Sequence, residues 1–191
     1  MKEAPFKSLP PLVDAMLPPL LPYFNKPFAF FGHSMGAMLC FELARQLRNA
    51  TGREPVQLFV SGQRAPQIPR TTPDTYNLPD PAFIDELRRL NGTPREVLEN
   101  PELMNLLLSL LRADFELVQS YVYRPGPALS CPIVAFGGVD DVDIPRHAVA
   151  SWREQTIDSF SMHMFPGDHF FIHSSQALLL QNLSEHLRRI T

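Results

Sequence analysis

Ser34 sits in Gly32-His33-Ser34-Met35-Gly36, directly after the apolar run Pro27-Phe28-Ala29-Phe30-Phe31. A buried strand running into G-x-S-x-G is where a hydrolase presents a nucleophilic serine on a sharp strand-to-helix turn. Glycines are expected on both sides of the serine, because a Cβ at such a turn would collide with neighbouring backbone. From Ala37 to Leu47 the apolar residues recur at three- and four-residue spacing, which reads as a helix. A helix beginning there aims its first N–H groups at the reaction centre, so the Met35 amide is available to a developing oxyanion. The chemistry this predicts is acyl transfer through Ser34.

A serine hydroxyl is a weak nucleophile and needs a general base, itself oriented by a third group. Six histidines are candidates. His33 is too close in the backbone to reach round to its neighbour's Oγ. His147 and His186 fall in expected helices and His163 in an expected strand, while His173 is a competitor after Phe170-Phe171-Ile172. His169 is best placed, in the loop Pro166-Gly167-Asp168-His169 at the end of the last strand, the edge where α/β sheets collect their ligands. For the acid, the loop Gly137 to Pro145 offers Asp140, Asp141 and Asp143. Asp141 is the choice and Asp140 its rival, and Asp143 reads as the cap of a helix starting near Pro145. Asp168 adjoins His169 in sequence, which is poor geometry for holding that ring. The order Ser34, Asp141, His169 is the α/β-hydrolase order.

Those side chains converge only if the strands before them share a sheet. Val56 to Gly62, Pro132 to Phe136 and Ser159 to Phe165 read as further buried strands. Leu12 to Phe24 (interrupted by Pro18, Pro19 and Pro22), Pro145 to Thr156 and Ser174 to Arg189 read as helices. Such alternation predicts a mostly parallel sheet flanked by helices. A Pro-rich stretch from Arg64 to Pro81 leads into Leu-rich helical sequence broken at Asn91-Gly92-Thr93-Pro94 and Asn100-Pro101, a helical insertion over about residues 72–121.

The 191 residues, 45% hydrophobic and 19% charged, are enough for one domain with its own core, read as spanning 1–191. A net charge of −3 with no basic cluster argues against nucleic acid as a partner. No stretch approaches the ~20 apolar residues of a membrane span, and the start lacks the apolar core of a signal peptide. Cys40 and Cys131 form no disulfide framework and read as reduced fillers, which places the protein in the cytosol. Without Cys/His ligand spacing or a phosphate-cradling glycine loop, neither metal nor cofactor is implied.

Phe30-Phe31-Gly32-His33-Ser34-Met35-Gly36-Ala37 resembles the elbow of type II thioesterases, the stand-alone editing enzymes of non-ribosomal peptide and polyketide synthases. These are related to the medium-chain thioesterase of fatty acid synthesis. Leu90-Asn91-Gly92-Thr93-Pro94 and Leu111-Arg112-Ala113-Asp114-Phe115, with Tyr121 following, are similar to that family's lid. Gly167-Asp168-His169-Phe170 resembles its histidine loop, and the 28 residues from Asp141 to His169 fit its spacing. The resemblance implies an α/β-hydrolase with a helical lid. It also implies a substrate, an acyl or aminoacyl thioester on the phosphopantetheine arm of a carrier protein, hydrolysed to free blocked carriers. Arg112 and Asp114 read as structural members of an amphipathic helix. Two other readings are a carboxylesterase acting on oxygen esters and a non-catalytic carrier-binding fragment.

The chain departs from the family before the elbow. Only 33 residues precede Ser34, where such a fold places several strands. The first strand, and the loop that supplies a second oxyanion N–H, have no counterpart. The chain therefore reads as N-terminally truncated, with Phe28 to Phe31 on an exposed apolar edge. Low solubility or weak activity is expected of it, since losing one oxyanion donor costs ~10²–10³ in rate.

Overall fold

The computed structural model describes residues 4–189. In chain order its elements begin with α1 (Leu9–Leu20), a 3-10 turn (Leu21–Asn25), β1 (Ala29–His33), α2 (Met35–Thr51) and β2 (Gln57–Ser61). Then come α3 (Asp80–Leu90), α4 (Arg95–Leu98), α5 (Pro101–Gln119), β3 (Ile133–Gly138) and α6 (Arg146–Ala150). A second 3-10 turn (Ser151–Gln155), β4 (Phe160–Phe165), α7 (Phe171–Ser174) and α8 (Gln176–Leu187) complete it.

Three helices differ from expectation. α1 starts at Leu9 rather than Leu12, because Pro10 and Pro11 fall in its first turn, where an N–H has no intrahelical partner to lose. It runs through Pro18 and Pro19 to Leu20, and Pro22 lies in the tighter turn that follows. The helix expected from Pro145 to Thr156 tightens into a 3-10 turn at Ser151. The terminal helix begins early, at Phe171, and is interrupted at Ser175, whose hydroxyl donates to the Pro166 carbonyl at 2.7 Å.

The chain divides into two compact units, one made of residues up to Leu12 with Pro69–Tyr123, the other of Val13–Ile68 with the chain from Arg124 onward. The second unit holds a four-stranded sheet in the order β1-β2-β3-β4, every pair parallel. Every residue of β2 and β3 is buried, so both faces of the sheet are covered, as parallel strands require. One face carries Phe59, Val134, Phe136 and Phe165 against Phe171 and Leu179. Elsewhere in the core α2 buries Phe41, Ala44 and Leu47. Phe41 meets the Trp152 ring edge-on at 5.3 Å, and the Trp152 indole donates to the Gln63 carbonyl at 2.8 Å. Among the described strands β1 is an edge, and Phe31 is 43% exposed. Phe28 and Phe30 are less exposed than the sequence predicts, because they cluster with Phe24 at centroid distances of 4.4 and 5.6 Å.

The first unit is built on Phe83, Leu87 and Met104, with Leu108, Leu111 and Phe115 packed against them. Asn91 (φ +56) ends α3, and the Asn100 side chain caps α5 by accepting from the Glu102 and Leu103 N–H groups. Arg112 lies 4.4 Å over the Phe83 ring while donating to the Tyr76 carbonyl at 2.5 Å and the Asp80 carboxylate at 2.6 Å. These contacts are structural. Burial holds the Asp114 carboxyl above its usual range.

Candidate active site

Ser34 occupies the turn between β1 and α2 with φ +53 and ψ −119, a conformation that costs an ordinary residue roughly 1–3 kcal/mol. Surrounding contacts hold it there. The Ser34 N–H donates to the Ser61 carbonyl at 2.7 Å, and the Ala37 N–H donates to the Ser34 carbonyl at 3.0 Å. Gly32 is needed for the close approach, since a Cβ there would lie 2.1 Å from the Gly36 carbonyl oxygen. Gly36 is not. Among the described residues nothing beyond its own helix lies within 4 Å of a Cβ built on it, so the expected collision exists on one side of the serine only. Met35 is the first residue of α2, and its N–H belongs to the first turn, whose donors have no intrahelical acceptor.

The other two candidates arrive on loops at the C-terminal ends of β3 and β4. His169 Nε2 is 3.0 Å from Ser34 Oγ, and its Nδ1 is 2.7 Å from Asp141 Oδ2. The second Asp141 oxygen accepts the N–H groups of Asp143 and Ile144, each at 3.0 Å, so the carboxylate cannot swing away without breaking three hydrogen bonds. The Asp141 side chain is 2% exposed and that of His169 18%. A buried carboxyl group is thus aimed at one ring nitrogen while the other faces the hydroxyl.

The rivals have other occupations. Asp140 exchanges hydrogen bonds with Gly167, and Asp168 accepts the Phe170 N–H at 2.8 Å ahead of α7. Asp143 does not cap α6: the N-cap position falls to Pro145, with no side-chain cap. A Pro there already presets the backbone, and the Asp143 N–H donates to the Asp141 carboxylate. His173 stacks on Phe170 at 6.3 Å, and His163 and His186 bring their Nε2 atoms to 3.4 Å of each other. Cys131 is buried and Cys40 half-buried; both are free, and burial pushes their thiols up to about 12 and about 11. Neither is a ready thiolate.

Sequence reasoning missed Ser61 and Gly138. Ser61 ends β2 fully buried and pairs in register with His33, a pairing that no local pattern encodes. A Cβ on Gly138 would lie 2.3 Å from the Asp168 carbonyl, so the loop carrying Asp141 and the loop carrying His169 meet backbone to backbone there. The Gly137-Gly138 pair at the strand end was the available signal. Among the described hydrogen bonds the His33 ring makes none to Ser34, in keeping with its position next to it in the backbone. Instead its Nδ1 pairs with Ser61 Oγ at 3.0 Å. Burial first, and then the neighbouring His169, lower its pKa to about 4.

Chemically, this arrangement can move a proton from a hydroxyl to an imidazole backed by a carboxylate, with helix N–H groups beside it. Among the described residues no group of three or more His, Cys, Asp or Glu side chains could hold a metal ion. No described helix is long and apolar enough to cross a membrane.

A profile of the family described as the thioesterase domain matches residues 1–191. The chain is 46% identical over 188 residues to the gramicidin S biosynthesis protein GrsT of Aneurinibacillus migulanus, covering 98% of this chain and 73% of that protein. Among solved structures it superposes on the type II thioesterase BorB from the borrelidin biosynthetic cluster with a TM-score of 0.88 at 37% identity, covering 97% of this chain and 75% of BorB. ClbQ from the colibactin NRPS/PKS pathway gives a TM-score of 0.90 at 28% identity, covering 96% and 78%. The parallel sheet flanked by helices is therefore the α/β-hydrolase arrangement that the sequence predicted.

Proposed function

Because the chain belongs to the thioesterase domain family, whose members hydrolyse thioesters, we propose that Ser34, His169 and Asp141 are its catalytic triad. The observation that carries this reading is the continuous line Ser34 Oγ, His169 Nε2, His169 Nδ1, Asp141 Oδ2 at 3.0 and 2.7 Å. His169 Nε2 takes the hydroxyl proton as Ser34 Oγ attacks the thioester carbonyl carbon. Asp141 accepts the Nδ1–H bond, which fixes the tautomer and stabilises the imidazolium. The Met35 N–H, at the positive end of α2, donates to the oxyanion. Collapse of the tetrahedral intermediate expels the thiol sulfur, which leaves with the proton from His169. Water, deprotonated by the same nitrogen, then releases the acid and restores Ser34.

The substrate is an acyl or aminoacyl thioester carried on the phosphopantetheine arm of a carrier protein of peptide or polyketide synthesis. Support comes from the relatives, whose names place them in gramicidin S, borrelidin and colibactin biosynthesis. On this reading residues 72–121 are the lid insertion of a single hydrolase domain, and the enzyme works in the cytosol without a bound cofactor.

A fluorophosphonate probe should label Ser34 and not a Ser34→Ala variant. The enzyme should hydrolyse acyl-pantetheine in preference to a p-nitrophenyl ester before labelling and neither after it. A folded protein that resists labelling defeats the triad, and a strong oxygen-ester preference defeats the substrate class.

A further inference from the structure

Ser61 has no exposed surface and touches both halves of the proposed machinery. Its carbonyl accepts the Ser34 N–H at 2.7 Å, and its hydroxyl meets His33 Nδ1 at 3.0 Å. His33 lies against the general base in turn. The centroids of His33 and His169 are 5.1 Å apart, and the rings of Phe170 and Phe171 close round His33 at 5.9 and 5.8 Å. Gly62 (φ +59) leaves room for that ring, since a Cβ there would come within 2.5 Å of it. The other ring nitrogen, His33 Nε2, is buried with no hydrogen-bond partner among the described residues. Ser61, Gly62 and the two phenylalanines hold this ring in one place against His169, which points to a service to that neighbour.

We propose that Ser61 and His33 form a positioning pair for the general base: Ser61 Oγ fixes the His33 ring, and that ring fixes the plane of His169 toward Ser34. The proposal rests on the triad reading above. It requires a neutral His33, because a cation there would oppose the imidazolium that His169 becomes. Burial and His169 both disfavour the charged form, His173 adds to this, and only Asp141 works against it. Ser61 thereby sets the nucleophile's backbone with one oxygen and the base's ring support with the other.

Two variants dissect the pair. Ser61→Ala keeps the ring and removes its tether; His33→Asn keeps a polar group near Nδ1 and removes the ring. Each is expected to lower kcat for acyl-pantetheine hydrolysis about 10-fold, as misplaced catalytic groups do, with KM within about twofold. Labelling of Ser34 should slow by the same factor, and the acid limb of the kcat/KM profile should move. The double variant should be no slower than the worse single one, because both changes act through one ring. Ser61→Thr retains the hydroxyl and should recover most of the rate. A merely structural role would lower Tm and leave kcat per folded molecule and the pH profile unchanged. Folded single variants with parental kcat and profile overturn the proposal. If Ser61→Ala does not fold, parental kcat in His33→Asn alone overturns it. Turnover surviving in Ser34→Ala would instead remove the triad reading beneath it.

Discussion

Asp140 and Gly167 hydrogen-bond to each other twice: the Asp140 N–H donates to the Gly167 carbonyl at 3.0 Å, and the Asp140 carboxylate accepts the Gly167 N–H at 3.3 Å. The rival acid is thus a clasp between the loop that carries Asp141 and the loop that carries His169. It orients two loops; Asp141 orients one ring.

The two aspartates should therefore separate kinetically. Asp141→Asn is expected to lower kcat by about 10³-fold or more, since the tautomer and the imidazolium both lose their support. Asp140→Ala removes only the side-chain half of the clasp and should cost about 10-fold or less, with a matching loss of loop order. Steady-state kinetics on acyl-pantetheine decides it, and equal losses would mean the acid has been misassigned.

The two glycines of the elbow should differ as well. Gly32→Ala forces a Cβ to 2.1 Å from the Gly36 carbonyl, which backbone must yield to, and about 3 kcal/mol of stability should be lost. Gly36→Ala meets open space in the first turn of α2 and should be neutral or stabilising by up to about 1 kcal/mol. Urea unfolding of both variants measures the contrast, and equal destabilisation would contradict the geometry.

Acid sensitivity follows from His33. Folded, it takes a proton only near pH 4; unfolded, near its ordinary 6.5. Between those values the unfolded chain binds a proton that the native protein excludes, so stability falls as pH drops from 6.5 toward 4 and is unaffected by this residue above that window. The shift corresponds to at most about 3 kcal/mol. Burial lowers His163 and His186 too, which adds to the same slope. Unfolding midpoints at several pH values should show the decline, shallower in His33→Asn, and parallel curves for the two proteins would contradict it.

In the helical unit, Asn100→Ala deprives the Glu102 and Leu103 N–H groups of their acceptor. The loss expected is about 1 kcal/mol, confined to that unit. Hydrogen exchange should show faster opening of the first turn of α5 with no change in α2.

The elbow, and the two loops that bring Asp141 and His169 to Ser34, were legible because each follows directly on a buried strand, and hydrophobic runs and the residues after them are local signals. Ser34, Asp141 and His169 were named from such signals, and the parallel sheet from the alternation of strands with helices. The cap assigned to Asp143 failed because α6 starts at Arg146 with Pro145 in the N-cap position, two residues beyond the aspartate, an offset that spacing does not settle. Gly36 was misjudged for a related reason: steric need depends on what faces a residue across space. What only the tertiary structure decided was register. The parallel pairing of β1 with β2 sets Ser61 beside His33, and the packing of two loops sets Gly138 under Asp168. A strand's own residues specify that it is buried and which way its side chains alternate. Which partner residue lies opposite each of them is set by burial summed over the whole sheet, a quantity no single segment carries.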